Sequence, residues 1–95
     1  MLIASKLDLV LKELYSYQED NEFHSLIEII LRAQISLNTY DQLENVARKL
    51  HRAGFSELKD LEGDFKARIT YKGVIFCEEN SYAYPGYPII THKNN

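Results

Sequence analysis

Three histidines and one cysteine are the side chains of this 95-residue protein best suited to metal or nucleophilic chemistry. Their spacing serves neither. His24, His51 and His92 stand far apart and no Cys-x-x-Cys accompanies them, whereas a structural zinc site needs four converging ligands. No metal and no cofactor is expected. Cys77 has no activating partner nearby in sequence and reads as a small buried apolar group. Being alone, it excludes an intramolecular disulfide and suits a reducing cytoplasm. Asp60, Glu62 and Asp64 alternate as a cation site on a strand would, but Gly63 interrupts them, and a solvated hairpin tip is the better reading. Glu78 and Glu79 are adjacent, so a helix directs them apart and denies them paired acid–base work. Neither a glycine-rich phosphate loop nor a nucleophile elbow occurs. An enzyme is not expected.

Charge is more informative. The net charge is −3, unevenly spread. Residues 1–47 hold three bases against eight acids. Residues 48–72 hold seven bases (Arg48, Lys49, Arg52, Lys59, Lys66, Arg68 and Lys72) against four acids. Screening limits each charge to about 8–10 Å, so a basic segment in an acidic chain still makes a local attractive field. The alternative is that these charges solvate two exposed faces. With 45% apolar and 26% charged residues, four glycines and two prolines, the chain has the composition of one globular domain. The start, MLIASKLDLVLKELY, lacks the layout of a secretion signal, and the longest apolar run falls short of a membrane span. A soluble, cytoplasmic protein is expected.

The elements that would position these charges announce themselves by their caps. Ser5 with Asp8 has the spacing of a helix start, and Ser25 with Glu28 and Thr39 with Gln42 are full capping boxes. The first predicted helix runs from about Lys6 to Tyr17, with Leu7, Val10, Leu11, Leu14 and Tyr15 on one stripe. The second, LIEIILRA, is apolar nearly all round and is predicted to be the most buried element. The third runs from about Tyr40 to Ala53, with Leu43, Val46, Ala47 and Leu50 inward. Gly54 suits the left-handed position after it, and Phe55 could pack back on Leu50. Strands at about Glu57–Leu61 and Phe65–Thr70 are joined by EGD, and Thr70 opens a short helix to about Glu79. In the second strand Phe65, Ala67 and Ile69 alternate with Lys66 and Arg68.

Residues 81–95 differ from the 1–80 domain. Tyr82, Tyr84 and Tyr87 alternate with Pro85, Gly86 and Pro88, which excludes a helix and predicts an extended tail. Ile89 and Ile90 are too apolar to leave exposed without reason. The tail is either a strap over its own domain or a dimer contact through Tyr82, Tyr84, Tyr87 and Ile89, with a homodimer preferred.

Helix, apolar helix, turn, helix ending in AGF, hairpin: over about residues 5–79 the chain resembles the winged helix-turn-helix family. LENVARKLHRAGFSELK is similar to that family's recognition helix and its exit into the wing, and ARITYKGVIF to the step from wing to final helix. The resemblance implies an α+β winged helix: a three-helix helix-turn-helix core, a two-stranded β-hairpin wing and a short C-terminal helix. It also implies a DNA-binding transcriptional regulator whose third helix, residues 40–53, lies in the major groove of double-stranded DNA. Gln42 and Asn45 would then read bases, Arg48, Lys49 and Arg52 would meet phosphate or guanine, and Lys66 and Arg68 would be wing contacts. Asp41, Glu44 and the acidic tip DLEGD depart from what a phosphate-facing surface requires. The alternative is a winged-helix protein–protein interaction module that binds no DNA. Either reading needs Leu43, Val46, Leu50, Phe65 and Ile69 in one core, and the first needs Arg68 beside Lys49 and Arg52.

Overall fold

Leu7, Val10, Leu11 and Leu14 recur on one side of a helical period, and each is at most 1% exposed. That stripe is the floor of the core. The computed structural model describes residues 3–37 and 40–91. They form an α+β fold in the order α1 (Ile3–Ser16), β1 (His24–Ser25), α2 (Leu26–Arg32), α3 (Tyr40–Arg52), β2 (Ser56–Leu61), β3 (Asp64–Ile69) and α4 (Tyr71–Glu79). Leu43, Val46, Leu50, Phe65 and Ile69 share one buried cluster with the α1 stripe, Leu26, Ile29 and Cys77.

The local signals act as their chemistry requires. The Ser25 hydroxyl accepts the Glu28 N–H at 3.4 Å. The Thr70 hydroxyl accepts the Gly73 N–H at 3.0 Å and donates to the Gly54 carbonyl at 2.6 Å, joining the start of α4 to the end of α3. At that end Gly54 has φ +83°. Its N–H reaches the His51 carbonyl at 2.9 Å, and the Phe55 N–H reaches that of Leu50 at 3.0 Å. This pair of bonds is a complete Schellman ending. The capping box at Thr39 lies outside the described residues.

In β3 the alternation holds: Phe65, Ala67 and Ile69 are buried, and the intervening positions are not. β2 and β3 pair continuously from Ser56↔Ile69 to Leu61↔Asp64. Glu62 and Gly63 alone make the turn, both at positive φ (55° and 90°), as a right-twisted two-residue hairpin demands. Gly73 brings the packing of α4 to its closest point. A side-chain carbon there would collide with the Phe55 carbonyl oxygen and lie 2.8 Å from Ile69 Cγ1.

Four expectations need correction. The first helix starts at Ile3, so Ser5 lies inside it, and Asp8 is engaged by the far end of the chain rather than by its own helix. The second helix is not the most buried element. It has seven residues with neighbours on one side, so Leu26 and Ile29 are buried while Ile27 and Leu31 are 44% and 72% exposed. The sheet has a third strand, β1, paired antiparallel to β3 through His24↔Ala67 and Ser25↔Lys66. Two residues are too few to show a period.

Finally, the segment after α4 is turned rather than extended. Tyr87 N–H bonds the Tyr84 carbonyl at 2.9 Å, and Gly86 adopts φ +93°. The Asn80 side-chain oxygen accepts the N–H groups of Ser81 and Gly86, both at 2.8 Å. The Asp8 carboxylate accepts those of Tyr82 at 2.7 Å and Ala83 at 2.9 Å. Ile89 and Ile90 N–H groups return to the Asn80 and Cys77 carbonyls, each at 3.0 Å. Their side chains pack on the core together with Tyr82, whose ring meets Phe76 at 5.2 Å and Phe55 at 6.1 Å. Within the described residues this segment is a strap, because its backbone donors find acceptors on α1 and α4. Tyr84 and Tyr87 remain largely exposed.

Candidate interaction surfaces

α3 turns Leu43, Val46, Ala47 and Leu50 inward, which leaves Asn45, Lys49 and Arg52 exposed on its outer side. Gln42 is half-buried. Lys49 and Arg52 form no ion pair with a described residue, whereas Arg48 does. Arg48 Nε donates to Glu44 at 2.9 Å, its Nη2 reaches Asp60 at 3.3 Å, and its guanidinium lies 5.5 Å from the Phe65 ring centre. Bonding to Glu44 raises its already high pKa, so it stays charged but locally neutralised.

The hairpin cations lie elsewhere. Strand alternation sends Lys66 and Arg68 to the face of β3 opposite Phe65, Ala67 and Ile69, and α3 packs on that inner side. Asp60, the partner of Arg48, faces Phe65 in the ladder and belongs to the inner side. Glu57, the partner of Arg68, faces Arg68 and belongs to the outer side. The sheet thus stands between Arg48 and Arg68. The expected juxtaposition of Arg68 with Lys49 and Arg52 is not made.

Arg68 is also heavily engaged. Its guanidinium takes both oxygens of Glu57 at 3.0 Å from Nη2, donates to the Asn21 carbonyl at 2.9 Å and lies 4.4 Å from the Phe23 ring centre. Lys59 Nζ is 4.2 Å from the same ring. Phe23, just ahead of β1, is therefore covered by two cations on the outer face. No sequence period marked it, because its role depends on β1 joining β3. Lys66 directly opposes Lys59 across the ladder, an unfavourable pairing of like charges.

Two further surfaces are apolar. Ile27 and Leu31 are four residues apart and share the outer side of α2. Between α1 and the strap lies an open groove of about 320 Å3, lined by Leu9, Lys12, Tyr84, Tyr87, Pro88 and Ile89. Of the tail residues expected at a contact, Tyr84, Tyr87 and Ile89 border this groove and Tyr82 is turned into the core packing.

The residues considered for chemistry are dispersed. Cys77 is fully buried under the strap, its thiol donating to the Leu11 carbonyl at 3.9 Å, and burial pushes its pKa up to about 12. Such a thiol is not a nucleophile at neutral pH. His24 stacks on Tyr17 at 4.1 Å and bonds Asp20 at 2.8 Å. His51 Nδ1 lies 3.2 Å from the Ser56 carbonyl. His92 lies outside the described residues. Among the described residues no group of three or more His, Cys, Asp or Glu converges on one point, and no helix is long and apolar enough to cross a membrane. No protein-family model matches the chain, and neither a curated protein nor a solved structure matches it.

Proposed function

We infer that this chain is a winged-helix module that binds another protein, rather than a reader of duplex DNA. The winged-helix reading rests on the element order: three helices in the first half, the Gly54 exit from α3 into a hairpin, and the Thr70 start of α4. One observation carries the choice of partner. The arginines that would bridge reading helix and wing are neutralised on opposite sides of the sheet, Arg48 by Glu44 and Asp60, Arg68 by Glu57. A polyanion gains affinity by replacing counterions at several cations along one path. Here the path is interrupted by the hairpin and by the carboxylates of Asp60, Glu62 and Asp64 at its tip. The exposed apolar pair Ile27 and Leu31 favours a protein partner further.

Fluorescence anisotropy with random duplex at low ionic strength tests this reading. The expected result is no saturable binding, with no change in Arg48→Ala/Lys49→Ala/Arg52→Ala. Saturable binding that falls steeply with salt and disappears in the triple variant would overturn it. A second reading has one observation in its favour: Asn45, Lys49 and Arg52 lie exposed together on α3. That is the surface a major-groove reader would use, and the same titration decides between the two.

A further inference from the structure

Among the described residues, the sheet order β1-β3-β2 leaves one edge of β2 without a strand. We propose that this edge is a self-association surface, and that two copies of the chain pair β2 with β2 antiparallel about a two-fold axis through Leu58. The inference deepens the protein-interaction reading and rests on it, naming a second copy as the partner.

Backbone direction comes first. The two-residue turn makes Leu61↔Asp64 the closing hydrogen-bonded pair of the hairpin, and such pairs then recur at every second residue. Lys59 and Glu57 therefore point their N–H and C=O groups at β3, while Ser56, Leu58 and Asp60 point theirs at the free edge. His51 lies against the Ser56 carbonyl. The edge-facing backbone groups of Leu58 and Asp60 have no partner among the described residues. Two protections of an edge are absent, since six consecutive pairs leave no bulge and SELKDL contains no proline; the charges of Glu57, Lys59 and Asp60 remain, and a pairing must accommodate them.

Register comes next. Edge-facing residues must meet edge-facing residues, so only slips of two are allowed. Centred on Leu58, the pairing sets Leu58 against Leu58 of the second copy, which supplies its backbone bonds, and Asp60 opposite Ser56, which is buried and whose carbonyl already meets His51. It also sets Glu57 against Lys59, twice, on the outer face. Slipped to oppose Lys59 with Lys59 or Glu57 with Glu57, the strands would face like charges. Charge complementarity selects the Leu58 register. It also supplies Lys59 with an acid on its open side, where in the single chain it faces Lys66 alone across the ladder.

Sedimentation velocity and light scattering on the full chain test the proposal. Wild type is expected to dimerise reversibly as concentration rises. Lys59→Glu and Glu57→Lys should each be monomeric, with unchanged far-UV circular dichroism. Mixed one to one, they should form a heterodimer, because each chain then presents a single sign to the other. For the register, a mixture of Glu57→Cys and Lys59→Cys should cross-link on mild oxidation, while neither alone does; Cys77 is too buried to interfere. A wild-type monomer near the solubility limit would overturn the proposal. So would dimers that survive both charge reversals; that result would place self-association on another surface and leave the protein-interaction reading standing.

Discussion

The hairpin and the strap hold the two ends of this fold by opposite means. At the hairpin, side chain meets side chain near solvent: Arg68 with Glu57, and Asp60 with Arg48 of α3. Under the strap, side chains serve the backbone: Asp8 takes two N–H groups and Asn80 takes two. An exposed ion pair exchanges water for a partner at little gain, whereas an N–H deprived of its acceptor in a shielded place pays its full desolvation. The hairpin's polar groups thus shape the electrostatic surface, and the strap's hold the fold.

That contrast is open to attack, and the strap should show the larger effects. The largest is alkaline. The Cys77 thiol is raised by burial from 9.0 to about 12, so its contribution is complete below pH 9 and lost as pH climbs towards 12. By linkage the loss is on the order of 4 kcal/mol across that window. Burial raises the Tyr82 phenol as well, in the same sense. Urea unfolding at stepped pH should show stability falling above pH 9, and Cys77→Ala should flatten the fall. An equal fall in Cys77→Ala would remove the thiol from the account.

Next in size is Gly73→Ala. The added carbon meets the Phe55 carbonyl and Ile69, and overpacking against backbone costs about 3 kcal/mol. Thermal unfolding would read it, and a variant as stable as wild type would mean that α4 moves freely against the hairpin. Asp8→Ala follows at roughly 2 kcal/mol, since the Tyr82 and Ala83 N–H groups lose a charged acceptor. Amide exchange at those two positions should accelerate while β3 stays protected. The smallest change belongs to the hairpin. Arg68→Lys loses the forked contact with Glu57 yet should cost below about 1 kcal/mol in dilute protein. A loss comparable to that of Asp8→Ala would erase the distinction between the two regions.

Much of this architecture could be read from residues a few positions apart. The Ser25 and Thr70 caps, the Gly54 ending and the alternation of β3 are each set within a span of about five residues, and each is found where expected. Leu43, Val46, Leu50, Phe65 and Ile69 meet in one core for the same reason, since period alone tells which side of an element is apolar. Errors arose where one motif allowed two uses. Ser5 and Asp8 have the spacing of a cap, but α1 is already under way at Ile3, which frees Asp8 for the strap. LIEIILRA is apolar enough for full burial, yet burial depends on how many neighbours surround it, which no local pattern encodes. The candidate site suffered most. Arg48 and Glu44 are four residues apart on one helix, but the meetings of Arg48 with Asp60 and of Arg68 with Glu57, and the side of the sheet each occupies, are not properties of either residue's neighbourhood.

The helices, the hairpin and their apolar sides follow from backbone hydrogen-bond supply and side-chain period, both local quantities that a linear chain carries openly, whereas β1 and the start of α1 do not. The partners of Arg68 lie 11 and 47 positions away, and those of Asp8 lie 74 and 75. Such meetings exist only after the chain has folded back on itself. Whether a cation faces solvent or a carboxylate is accordingly decided by packing, and with it the kind of partner this surface can attract.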